Sequence, residues 1–164
     1  MSLEIEKLLD ETGWHLLQEL QQNARLSYSE LGQRVGLSSP SVADRIRKME
    51  EADIITGYHA EVNLTKLGLP MLALIRLGSN PGQSCNHAVA QVNAIPEVLE
   101  CYKVTGADCA ILKVVAASVD HLEKIIEQIS QSGPASTSLV FSKPMKRHTI
   151  THELLERAEP DVPN

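Results

Sequence analysis

The chain has 164 residues, 21 Asp and Glu against 15 Lys and Arg, a formal net charge of -6 with histidines neutral, and 43% hydrophobic residues. That length holds one ordinary domain or two small ones, and that apolar fraction belongs to a folded globular protein rather than a disordered one. The acidic balance argues against a non-specific nucleic-acid coat, whose affinity rests on neutralising phosphates. One Trp, one Phe and three Tyr leave no stacking platform for single strands, so any nucleic acid bound is expected to be duplex.

The longest apolar runs, MLALI (71–75) and CAILKVVAA (109–117), are too short to span a bilayer, and MSLEIEKLLDE at the start is acidic where a signal peptide needs positive charge. A cytoplasmic protein with no membrane partner is expected. Cys85, Cys101 and Cys109 are odd in number and lack the close paired spacing of zinc sites. Three reduced thiols, with no disulfide framework, no metal and no cofactor, are the expectation.

DETGWHLLQELQQN (10–23) sets Trp14, Leu17 and Leu20, with Leu16 beside them, at helical spacing behind the cap-like Asp10 and Thr12. Ser27 or Ser29 opens a short second helix in which Leu31 and Val35 fall one turn apart and Gly36 is a left-handed stop. Ser38 or Ser39 caps a third helix with Pro40 in its first turn and Val42, Ile46 and Met49 as its inward stripe. Helix, Gly-containing turn and helix form the helix-turn-helix pattern, whose second helix enters the major groove.

The 3.6-residue period places Ser39, Ser41, Asp44, Arg45, Arg47 and Lys48 on the outer side of that third helix. Within 33–48, Arg34, Arg45, Arg47 and Lys48 stand against Asp44 alone, which concentrates basic charge where the motif needs it. The candidate DNA-contacting residues are therefore Ser29, Arg34, Ser38, Ser39, Pro40, Ser41, Asp44, Arg45, Arg47 and Lys48. Hydroxyls and free N–H groups at the helix N-terminus suit phosphates and base edges, and the Arg45 guanidinium suits bidentate pairing with guanine. Taken alone, the same basic residues also fit a solvated helix face balanced by Glu50 and Glu51.

The β-branched stretch 54–62, with Gly57 inside it, predicts a short β hairpin or wing and then an extended connector, and KLGLP (66–70) breaks the chain. Beyond Pro70 the pattern reads strand 71–79, helix 83–94, strand 98–105, tight turn 106–108, strand 109–116, helix 119–130 and strand 136–142. This β-α-β-β-α-β order is the ferredoxin-like arrangement, which leaves one face of its antiparallel sheet to be covered by something else. The fold class is α+β: an N-terminal winged helix-turn-helix and a C-terminal ferredoxin-like βαββαβ domain. An uncovered sheet face suggests a second copy of the chain, hence a homodimer.

The run from LLQELQQNARLSYSELGQRVGLSSPSVADRIRKMEEADIITGY through AEVNLTKLG to ECYKVTGADCAILKV resembles the Lrp/AsnC, or feast/famine, family of transcriptional regulators over approximately 9–150. The resemblance implies a sequence-specific regulator of double-stranded DNA, dimerising through its sheets into higher homo-oligomers such as an octamer. It also implies modulation by an amino acid or related small metabolite, bound near the turn after the second strand. Here that turn supplies Val104, Thr105, Gly106, Ala107 and Asp108, with Ala107 where an acidic residue is frequent. The domain reading is 1–57 for DNA binding, 58–70 as connector, 71–150 for effector binding and oligomerisation, and 151–164 as an acidic tail, frayed or briefly helical.

His15, His59, His87, His121, His148 and His152 are scattered and form no catalytic constellation, so no enzymatic activity is expected. Two alternatives stand beside the regulator: a tetrapyrrole-binding, decarboxylase-like enzyme of related fold, and an effector-binding scaffold without DNA binding.

Overall fold

The computed structural model describes residues 3–145 and 147–157, and the chain divides into two units, 1–60 with 146–164, and 61–145. The first unit holds α1 (Leu3–Leu8), α2 (Glu11–Gln22), α3 (Tyr28–Val35) and α4 (Ser39–Glu51). Each expected helix start has a side-chain cap. Asp10 accepts from the Gly13 N–H, Ser27 and Glu30 form a reciprocal capping box, and Ser38 accepts from the Ser41 N–H with Pro40 in the first turn. Gly36 ends α3 at φ 71°, a left-handed conformation that a Cβ disfavours.

Leu16, Leu20, Leu31, Val42 and Ile46 form the core of this unit, with Leu26, Val35, Leu37 and Ile55 packed against it. Gly32 brings α3 against the turn so closely that a Cβ there would lie 2.4 Å from the Leu37 carbonyl oxygen. The helix-turn-helix is thus fixed by a cap at Ser27, a close approach at Gly32 and a left-handed glycine at Gly36, in that order along the chain.

The wing expected at 54–62 does not form. The Ile54 and Ile55 N–H groups both donate to the Met49 carbonyl, which ends α4, and Ile55 turns into the core. The stretch that follows is extended without a strand partner. β-branched composition favours a strand only where a neighbouring strand is available to pair. Beyond residue 150, α7 (His152–Glu156) belongs to this same unit: Gln21 exchanges hydrogen bonds with the Ile150 backbone, and the Trp14 and His152 rings stand 5.5 Å apart. Residues 158–164 of the expected tail lie outside the described residues.

The second unit opens with a 3-10 turn, Leu64–Leu67, and then runs β1 (Met71–Leu77), α5 (Cys85–Val92), β2 (Val98–Lys103), β3 (Ala110–Ala116), α6 (Val119–Ser130) and β4 (Ala135–Leu139). The sheet order is β2-β3-β1-β4, all antiparallel, with Ile75 opposite Leu112 and Thr137, which is the ferredoxin-like topology read from the sequence. Ala73, Ile75, Leu77, Leu112 and Val114 pack with Ala88 and Val92 of α5 and with Leu122, Ile125 and Ile129 of α6. On the opposite face Leu74 is 42% and Tyr102 55% exposed.

The expectation of three reduced thiols is corrected: Cys85 and Cys109 are joined by a disulfide, their Cα atoms 5.1 Å apart, and only Cys101 is free. The pairing is tertiary. The loop after β1 carries the first residue of α5 to the end of the β2–β3 turn, a neighbourhood that sequence spacing does not display. Burial pushes the Cys101 thiol above its ordinary pKa.

Candidate nucleic-acid interface and effector cleft

In α4 the buried stripe Val42, Ile46 and Met49 turns the opposite side outward. Pro40, Ser41, Arg47 and Lys48 are exposed there, and Asp44 is half-buried among them. Ser38 and Ser41 share a hydroxyl-to-hydroxyl hydrogen bond of 2.8 Å at the helix N-terminus, and the Ser38 hydroxyl also accepts from the Ser41 N–H.

The cations do not stand alone. Arg47 donates to Asp44 and to Glu51, at 2.7 and 2.6 Å, and the Lys48 ammonium lies 2.6 Å from the other Asp44 oxygen. Both cations hold the Asp44 carboxyl below its ordinary pKa, Lys48 most of all. Arg34, at the end of α3, pairs with Glu19 of α2.

Arg45 occupies a different position from the outer-face one that the helical period suggested. One residue before the buried Ile46, it sits on the flank of the stripe, and its guanidinium makes two hydrogen bonds to Asp10, at 2.7 and 2.8 Å. Asp10 is the cap of α2, so a single carboxylate closes one helix and clamps another. The Arg45 guanidinium lowers the Asp10 pKa, and Asp10 raises that of Arg45. Tyr58, just past α4, donates to Glu50 at 2.9 Å, and burial together with that carboxylate pushes its pKa to about 12.

In the second unit the β2–β3 turn holds Gly106 at φ 113°. Two backbone hydrogen bonds close it: Val104 N–H to the Cys109 carbonyl, 3.2 Å, and Cys109 N–H to the Leu77 carbonyl, 2.7 Å. Beside it lies an open cleft of about 290 Å³ lined by three loops: Gly78 and Ser79 after β1, Ala107 and Asp108 from the turn, and Pro134, Ala135 and Ser136 at the start of β4, with Arg76 of β1. Of the turn residues expected to bind an effector, Ala107 and Asp108 line this cleft, while Val104, Thr105 and Gly106 do not.

Arg76 and Ser136 are additions that the sequence did not single out; they lie 60 positions apart and meet only because β1 pairs with β4. Alternation along β1 was the one available signal, since it places a charged residue two positions after Leu74 on the face away from the helices. Arg76 contacts the Ser136 hydroxyl at 3.4 Å, and among the described residues neither Arg76 nor Asp108 has an ion-pair partner. One cation and one carboxylate in a small cleft, both uncompensated, suit a zwitterion.

Comparison with known proteins agrees with both halves. Residues 9–50 match the family model of the AsnC-type helix-turn-helix domain, and residues 72–150 match that of the Lrp/AsnC ligand binding domain. An uncharacterized HTH-type transcriptional regulator of Bacillus subtilis, YezC, is 40% identical over 134 residues, covering 82% of this chain and 94% of that protein. The solved structure of B. subtilis LrpC superposes with a TM-score of 0.79 at 32% identity, over 85% of this chain and 99% of that one. A Neisseria meningitidis transcriptional regulator in complex with L-Met gives a TM-score of 0.81 at 28% identity, over 90% and 99%.

Proposed function

Because the chain belongs to the Lrp/AsnC family of transcriptional regulators, we propose that α4 reads double-stranded DNA and that the cleft beside Gly106 binds an amino acid that modulates that binding. The observation that carries the first part is the outward face of α4, opposite a fully buried stripe, with the N-terminal hydroxyls and the cations on one side. Ser38, Ser39, Pro40 and Ser41 meet the duplex with the helix N-terminus, Arg47 and Lys48 meet phosphates, and Ser29 and Arg34 of α3 meet the flanking backbone. Arg45 reads a base edge by exchanging its two hydrogen bonds to Asp10 for ones to the base.

In the cleft, Arg76 takes the carboxylate and Asp108 the ammonium, with the turn from Val104 to Ala107 as the adaptable wall. The L-Met complex of the N. meningitidis relative supports that ligand class. The exposed sheet face, with Leu74 and Tyr102, is the dimerisation surface, and dimers assemble further, an octamer being the leading candidate. The protein works in the cytoplasm, beside its DNA, and is not an enzyme.

Calorimetric titration with the twenty amino acids tests the effector reading. One or a few are expected to bind, Arg76→Ala and Asp108→Asn each weakening them at least about tenfold, as loss of a charged hydrogen-bonding partner does. Binding that both variants leave unchanged would place the effector elsewhere.

A further inference from the structure

We propose that the Cys85–Cys109 disulfide is a reversible thiol switch that sets the mobility of the effector turn. Two of the three loops lining the cleft end at this bond. The loop carrying Gly78 and Ser79 leads into Cys85, the first residue of α5, and the turn carrying Ala107 and Asp108 ends at Cys109. Residues 105–108 make no backbone hydrogen bond among the described residues, so the bond and the two closures at Val104 and Cys109 are what hold the turn. Opening the bond removes the only covalent tie between the two loops and leaves Asp108 on a longer, weaker leash.

The two sulfurs differ in a way that suits exchange. Cys85 is partly exposed, whereas Cys109 is 2% exposed. The thiolate of a small thiol such as glutathione attacks Cys85 Sγ, forming a mixed disulfide. The sulfur–sulfur bond breaks toward Cys109, which takes a proton. A second thiol attacks the glutathione sulfur, and Cys85 leaves as a thiolate at the N-terminus of α5, where the first-turn N–H groups stabilise it. The protein gains two electrons and, with Cys85 held as the thiolate, one proton, the other passing to solvent, and the thiol reagent leaves as its disulfide. A regulator that works beside DNA meets such thiols continually, and disulfides that form in that setting are usually sensing or transient ones. The switch deepens the effector reading above and rests on it for its consequence, though not for its chemistry.

The test equilibrates the full chain against glutathione buffers of graded reduced-to-oxidised ratio, counts alkylated thiols by mass, and follows amide hydrogen exchange at 104–109. The expected result is one alkylated thiol in the oxidised form and three in the reduced form, interconverting within the glutathione series, with exchange of the two hydrogen-bonded amides, Val104 and Cys109, about tenfold faster or more once the bond opens. Cys85→Ser and, separately, Cys109→Ala should reproduce the fast exchange in every buffer. A bond that stays closed throughout the series, or opens without changing exchange at 104–109, overturns the switch. Amino-acid titration of both forms separates the two readings: binding at least about fivefold different between them confirms the coupling, equal binding in both overturns it, and no binding in either removes the effector reading while the exchange data still decide the switch.

Discussion

The outer face of α4 and the cleft beside Gly106 are both charged, but they hold their charges differently. On α4 each of Arg45, Arg47 and Lys48 is already satisfied by a carboxylate of its own unit. In the cleft, Arg76 and Asp108 face open space with no ionic partner among the described residues. The first arrangement suits a polyanion, which must displace internal carboxylates and so binds by exchange, with strong dependence on salt. The second suits a small zwitterion, which brings both charges with it. Surface pairs contribute little to stability, so the exchange on α4 is feasible.

The largest way to break this contrast is to remove the scaffold under one side only. Ile46→Ala, at a site 1% exposed, should destabilise the helix-turn-helix by about 2–5 kcal/mol. Thermal unfolding followed at Trp14 should report the loss, while amino-acid binding by the second unit persists.

Next is the separation of roles along α4. Arg45→Ala should cost roughly 1–3 kcal/mol at a specific site and relax a single base position, whereas Lys48→Ala should weaken all sequences alike and lower the salt slope by about one. Competition binding with single-base variants of the duplex measures both. Equal effects of the two substitutions on every sequence would contradict the assigned roles.

Smaller still is the clamp at Asp10. Asp10→Ala removes a helix cap and the partner of Arg45 together, at about 1–2 kcal/mol. The Asp10 carboxyl titrates below its ordinary 3.8. Its contribution is therefore complete above that value and is lost as pH falls through the lower folded-state pKa, so stability curves of wild type and variant should converge in acid. Denaturant melts across pH 2 to 6 read this directly.

The mildest prediction concerns Asp44, which holds both Arg47 and Lys48. Asp44→Asn should strengthen binding to any duplex by a few-fold and flatten discrimination, because Lys48 then meets phosphate without displacing a carboxylate and Arg47 has only Glu51 left to displace. Titration of specific and unrelated duplexes would show it as a narrowed ratio.

Local signals were legible where the physics is local. Ser27, Ser38 and Gly36 announce helix ends, and the stripe Val42, Ile46 and Met49 announces an inward face, because capping and periodicity act within a few residues. The alternation of strands and helices past Pro70 gave the sheet topology for the same reason. What was hidden depends on tertiary pairing. Asp10 and Arg45 are 35 positions apart, Arg76 and Ser136 are 60 apart, and Cys85 and Cys109 are 24 apart. No spacing rule joins such residues until the helices pack and β1 pairs with β4. The wing at 54–62 failed in the opposite sense: its composition favoured a strand, and among the described residues no strand pairs with it.

The most direct measurement is fluorescence anisotropy of the labelled duplex upstream of the chain's own gene, with an unrelated duplex as competitor and salt varied, for wild type and Lys48→Ala. Binding that survives the competitor, weakens steeply with salt, and loses about one unit of salt slope in the variant is the predicted result. Binding to both duplexes alike, with a slope the variant leaves unchanged, would contradict the placement of α4 on DNA.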